Sequence, residues 1–138
     1  MAVLTHELTL STRGKGLYPC TREIAQWVTS TGVTGGLLTL FIQHTSASLV
    51  IQENADPDVV LDLAEYFERI VPEGETWYRH TIEGPDDMTS HIRTALGQTS
   101  IAIPVVNGRM TLGTWQGIYV FEHRRARHQR SVVLQLVS

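Results

Sequence analysis

The chain has 138 residues, 42% hydrophobic and 18% charged, with a formal net charge of −3. At a prior of about 150 residues per domain this is one domain, spanning 1–138, and it is too apolar and too weakly charged for a disordered chain. One cysteine, Cys20, excludes an intrachain disulfide framework and any CxxC zinc or redox motif.

The N-terminal MAVLTHEL carries no basic flank and no long hydrophobic run, and the uncharged stretch from Ile24 to Gln52 is broken by Thr, Ser, Gly, Gln and His. Neither a signal peptide nor a membrane span is expected, and the expected location is the cytoplasm. Charge is uneven: residues 1–52 sum to +1, residues 53–87 to −9 and residues 88–138 to +5. Most of the central acids read as a solvated helix face and loop.

In chain order, Val3 to Leu10 alternates as a strand. Thr21 is placed to cap a short helix through Trp27, with Glu23 in its first turn. Gly35 to Gln43 is a near-continuous apolar run, read as a buried central strand, and Ala47 to Gln52 offers another. Asp56-Pro57 starts a helix, with the acid as cap and the proline in the first position. Val60, Leu63, Ala64, Phe67, Ile70 and Val71 then define one apolar helical face, which Pro72 ends. Residues 72–86 form a long polar loop. A short helix is expected from Asp87 to Leu96. Ser100–Val106 and Arg109–Leu112 flank Asn107-Gly108, a strong hairpin signal. Gly117–Glu122 and Ser131–Val137 complete the strands. The order predicts an α+β domain with antiparallel sheets and two to three helices.

Chemistry concentrates on histidines and acids. His44 follows the predicted central strand, His80 lies in the long loop and His91 lies on the short helix. Three imidazoles with an open position make a zinc site, yet no HxH, HExxH or HxxxH motif links them. A shared metal site and three separately satisfied histidines both remain open. Asp86 and Asp87 read as helix caps, a role that needs only one of them. Glu53 and Asn54, at the exit of a strand, read equally as loop residues and as a pocket edge. Trp115, followed by Gln116, reads as a core indole. The segment EHRRARHQR (122–130) reads as a charged hairpin turn; with so few arginines and a negative net charge, nucleic-acid binding is not expected. No Walker loop, GxGxxG or GxSxG is present.

Four blocks carry a resemblance over essentially the whole chain: QHTSASLVIQEN (43–54), DPDV (56–59), YRHTIEGPDDMTSHI (78–92), and NGR with LGTWQGIYVFEHR (107–124). In order and spacing they resemble the YjbQ-like family, the secondary thiamine-phosphate synthase group. The resemblance implies two packed, mainly antiparallel sheets, a homotrimer, and a weak condensation of hydroxymethylpyrimidine diphosphate with thiazole phosphate. It also implies a histidine-lined divalent metal site, with His44, His80 and His91 as ligands. Zinc suits those ligands, while magnesium suits a diphosphate substrate.

Carried over block by block, Asp87, Glu53 and Glu122 become candidate acid–base groups. Thr45, Ser46, Asn54, Asp86, Trp115, Gln116 and Arg124 become candidates for holding a small phosphorylated metabolite. The sequence departs from the family pattern after Glu122, where His123-Arg124-Arg125-Ala126-Arg127 replaces an acidic, glycine-containing turn. Besides the synthase, a zinc-dependent hydrolase and a non-catalytic trimeric binding protein fit the same residues.

Overall fold

The computed structural model describes all 138 residues. Eight strands and three helices follow in the order β1 (Val3–Thr12), β2 (Gly16–Pro19), α1 (Thr21–Thr31), β3 (Gly35–Ile42), β4 (Ala47–Glu53), α2 (Pro57–Ile70), α3 (Asp87–Leu96), β5 (Ser100–Val106), β6 (Arg109–Met110), β7 (Gln116–Glu122) and β8 (His128–Val137). A five-stranded sheet has the order β1-β8-β3-β5-β6 and a three-stranded sheet the order β2-β7-β4. Every pairing is antiparallel. This is the expected α+β class.

The core fills the space between the sheets. Leu38, Leu40 and Ile42 of β3 meet Ile118 and Val120 of β7, with Val132, Leu134 and Leu136 of β8 alongside and Ile24 and Val28 of α1 closing one side. β3 is central as expected, but it is buried on one face only: Leu37 and Phe41 point outward, 47% and 48% exposed. Tyr119 and Phe121 alternate to the other side of the small sheet, where Phe121 meets Phe67 of α2 edge-on at 5.1 Å.

Local chemistry explains the element ends. Asp56 caps α2 by accepting the Asp58 N–H at 2.9 Å, and Pro57 occupies the first turn. Asn107 and Gly108 both take positive φ, 53° and 76°, the geometry of a tight hairpin turn. Two expectations about caps are corrected. Thr21 is the first residue of α1, not its cap, and its Oγ1 accepts the Ile118 N–H at 2.8 Å. Asp86 precedes α3 without capping it, because its carboxylate is drawn to Arg124 and Arg125. α1 also runs past Trp27 to a left-handed Gly32. Strand β2 is an addition; its four residues are held by pairing with β7. The 122–130 segment is not a hairpin, since β7 and β8 belong to different sheets.

Gly36 marks the tightest approach. A Cβ there would collide with the Val137 carbonyl oxygen, whereas one at Gly35 would meet nothing closer than 3.9 Å. Gly36→Ala is therefore expected to lower the unfolding free energy by at least about 2 kcal/mol, and Gly35→Ala by less than about 1 kcal/mol. Urea denaturation of the two variants checks this; equal effects would contradict the packing described.

Candidate metal centre

Helix α3 projects Asp87 and His91, four residues apart, from one face. The long loop brings His80 over the same face. It is anchored there by the Tyr78 hydroxyl and the Thr89 hydroxyl, which both donate to the Pro72 carbonyl at 3.0 Å. His80 Nε2 lies 2.6 Å and His91 Nε2 lies 3.2 Å from the same Asp87 oxygen, Oδ2. The ligand atoms of the three residues all lie within 4.8 Å of one another.

The surroundings fix each group. His91 Nδ1 lies 2.8 Å from the Thr45 carbonyl oxygen, which can only accept, so Nδ1 carries a proton and Nε2 is the nitrogen turned to Asp87. Arg124 donates to Asp87 Oδ1 at 2.7 Å and to Asp86 Oδ2 at 3.0 Å. Asp86 also accepts the Arg125 N–H. Burial opposes ionisation of Asp87, but the His80 hydrogen bond and the charges of His91 and Arg124 outweigh it and hold the carboxyl below the usual range. Asp86 is likewise held low against its burial, by the Arg125 amide and the Arg124 guanidinium.

The other expected site residues are distributed differently. His44 stands outside this cluster, whose third member within the chain is Asp87. The His44 Nε2 lone pair already accepts the Ser131 N–H at 2.9 Å, and Arg130 stands beside its Nδ1. Partial burial and the Arg130 charge together lower the His44 pKa. Thr45 contributes its carbonyl to His91. Ser46 is turned inward, its Oγ accepting from Arg130 at 2.9 Å.

Glu122 is fully buried and forms an ion pair with Arg130, with a further hydrogen bond from Thr12 at 2.6 Å. Burial opposes its charge, but Arg130 and Thr12 hold its carboxyl below the usual range. Glu53, Asn54, Trp115 and Gln116 lie at the far end of the β4–β7 ladder. There Glu53 pairs with Gln116, while Ala47 pairs with Glu122 at the near end. Six strand steps at about 3.3 Å separate the two ends by roughly 20 Å, so one chain does not bring these four residues to the histidines. Trp115 is 62% exposed and no core residue.

Two buried groups were not anticipated. Arg130 lies on the core side of β8, in phase with Val132, Leu134 and Leu136, a period-two signal that is present in the sequence. His123 is buried with Nε2 at 2.9 Å from Ser48 Oγ.

A profile described as UPF0047 protein YjbQ-like matches residues 6–138. The chain belongs to this family. A Synechocystis UPF0047 protein is 54% identical over 94% of the chain and 88% of that protein. The YjbQ protein of Escherichia coli O157:H7 is 45% identical over 94% of each. Among solved structures, a conserved hypothetical protein from Thermus thermophilus superposes with a TM-score of 0.85 at 30% identity, covering 96% of this chain and 99% of that one. A YjbQ/UPF0047 protein from Clostridium acetobutylicum gives 0.82 at 32% identity, covering 97% and 99%. The YjbQ-like fold is thus shared across the whole domain.

Burial, aided by the Arg93 charge, depresses the His123 ring to about 3. In the unfolded chain it titrates near 6.5. As pH falls below that value the unfolded state takes up a proton that the folded state refuses, so stability falls by about 1.4 kcal/mol per pH unit from this ring alone. His123→Gln, which keeps an amide donor for Ser48, is expected to flatten the slope between pH 6.5 and about 5. Urea midpoints across that range measure it; an unchanged slope would refute the assignment.

Proposed function

We propose that His80, Asp87 and His91 hold a divalent transition-metal ion, zinc by the nature of the donors, and that the chain is a metal-dependent hydrolase of a small ester, lactone or phosphoester. The observation that carries this reading is the convergence of His80 Nε2 and His91 Nε2 on one oxygen of the buried Asp87. With Nδ1 given to the Thr45 carbonyl, Nε2 faces a carboxylate oxygen at 3.2 Å. Two atoms so placed need a positive charge between them, either a second ring proton or a metal ion. Two imidazole nitrogens and one carboxylate oxygen match zinc, whereas magnesium prefers an all-oxygen shell.

A bound ion of this kind supplies Lewis acidity, polarising a carbonyl or phosphoryl oxygen and making a neighbouring water acidic. The chain's own residues hold the site. Arg124 engages Oδ1 of Asp87 and so leaves Oδ2 turned to the histidines, Asp86 holds Arg124, and the Thr45 carbonyl sets the His91 ring. His80 is 43% exposed and leaves one side open to a substrate. The condensation implied by the synthase resemblance asks for cationic groups free to receive a diphosphate. Arg124, the guanidinium at the site, is already shared between two carboxylates, which favours the hydrolytic reading.

Elemental analysis of untagged protein is expected to give about one zinc per chain, and His91→Ala to abolish both metal uptake and turnover of a p-nitrophenyl ester or phosphate. Arg124→Lys is expected to weaken metal binding by about 10–100-fold. Protein that carries no metal and takes none up on adding zinc would end this reading.

Trimer formation, implied by the resemblance, is supported by the outer face of the large sheet. Val3, Leu37, Phe41 and Val106 are each about half exposed there and share one face in register. Phe41→Glu is expected to convert the assembly to monomers in sedimentation velocity; a monomeric parent protein would refute the proposal.

A further inference from the structure

Helix α2 has an apolar face yet buries none of its residues completely. Its Leu63 and Phe67 look across a cavity of about 630 Å³ toward β4, with Ile51, Leu96 and Phe121 also on the walls. A volume of that order holds a drug-sized molecule, whereas helix and sheet normally close to crystal-like density. The cavity lies apart from the metal ligands: His80, Asp87 and His91 are not among its lining residues. On α3 it meets instead Arg93 and Leu96.

The polar part of the lining has a specific bias. Gln52, Gln98 and Gln116 all border the cavity. The Oε1 of Gln52 accepts the Glu53 N–H at 2.9 Å, and the Oε1 of Gln116 accepts the Gly113 N–H at 2.8 Å. A backbone N–H can only donate, so the carbonyl end of each amide is fixed and the NH₂ end is left with donors to give. Arg93 also borders the cavity; it pairs with Glu68 at 3.1 Å, an acid that Lys15 shares at 2.9 Å, and a second bond runs to the Val71 carbonyl, while its buried Nε has no partner. The combination is one of apolar and aromatic walls lined with amide donors.

We propose that the cavity between α2 and β4 binds a planar heteroaromatic molecule rich in hydrogen-bond acceptors, held by the amide donors of Gln52, Gln98 and Gln116 against Leu63 and Phe67. A purely apolar ring would leave the donors unanswered and bind more weakly.

Caffeine is a suitable probe, since it is planar and neutral and has acceptors but no N–H donor; indole is its acceptor-poor counterpart. Both are titrated into the full-length protein while amide NMR signals are followed. Caffeine is expected to bind saturably, shifting the side-chain NH₂ signals of the three glutamines, at least about tenfold more tightly than indole. Gln98→Leu, which removes an exposed side chain with no partner within the chain, is expected to weaken caffeine about fivefold and leave indole unchanged. Leu63→Trp, which fills the cavity from α2, is expected to abolish the binding of both. The proposal is overturned if caffeine gives no saturable shift up to about 10 mM, if indole binds as tightly, or if Gln98→Leu leaves caffeine affinity unchanged.

Discussion

The buried ion pair between Glu122 and Arg130 joins the two sheets, since Glu122 ends β7 and Arg130 lies near the start of β8. Two charges so deeply buried are tolerable only when every remaining hydrogen-bonding position is answered. Thr12 donates to Glu122, the His123 and Arg124 amides donate to its second oxygen, and Arg130 reaches Ser46 twice. The contact with Ser46 fixes the turn between β3 and β4. The preceding residue in that turn, Thr45, offers the carbonyl that sets the His91 ring. A polar knot between sheets thus orients the ring of a surface histidine. Removing one partner of the pair would leave the other charge buried, a cost of about 3–5 kcal/mol, and would release the turn as well.

Helix α3 has two faces with separate duties. Asp87 and His91 lie one turn apart and face the long loop. Arg93, two residues on, points the other way, to Glu68 and the C-terminal end of α2. The helix is short, and its side chains hold it from both sides. Thr89 reaches the Pro72 carbonyl, and Arg93 reaches Glu68 and the Val71 carbonyl, so contacts beyond the helix support it alongside its intrinsic propensity. Two of the three proposed metal ligands, Asp87 and His91, and one wall of the proposed ligand cavity are therefore carried by one helix.

Much of the fold was legible because local signals agreed with one another. Asp56-Pro57 marked a helix start, Asn107-Gly108 a hairpin, and alternation the strands of both sheets. β2 escaped because four residues, one of them proline, give no alternation to read; its existence depends on β7 beside it. At the site, His80 and His91 were legible as a pair by residue type, and Asp87 was legible as an acid. What spacing could not provide was which third group joins them. His44 is nearer to that role by chemistry, yet a backbone amide from β8, eighty-seven residues away, occupies its lone pair. Asp87 reads as a helix cap until the loop that folds over it is placed.

The uneven charge along the chain acquires a cause in the same geometry. Asp58, Asp62 and Glu65 do lie on solvated turns of α2. The acids that follow are different, because they meet the basic C-terminal third and the first loop. Glu68 takes Lys15 and Arg93, Glu73 takes Lys15 and Arg125, and Asp86 and Asp87 share Arg124. Segments of opposite sign, far apart in sequence, neutralise each other around the loop that carries His80. Exposed pairs of this kind contribute little to stability one by one. Those of Asp86 and Asp87 are largely buried, and they act on orientation. By occupying Oδ1 of Asp87, Arg124 leaves a single oxygen for the two histidines. The −9 and +5 of the sequence are in this sense two halves of one electrostatic clamp, and the site it holds is the part of the molecule where that clamp is most completely dehydrated.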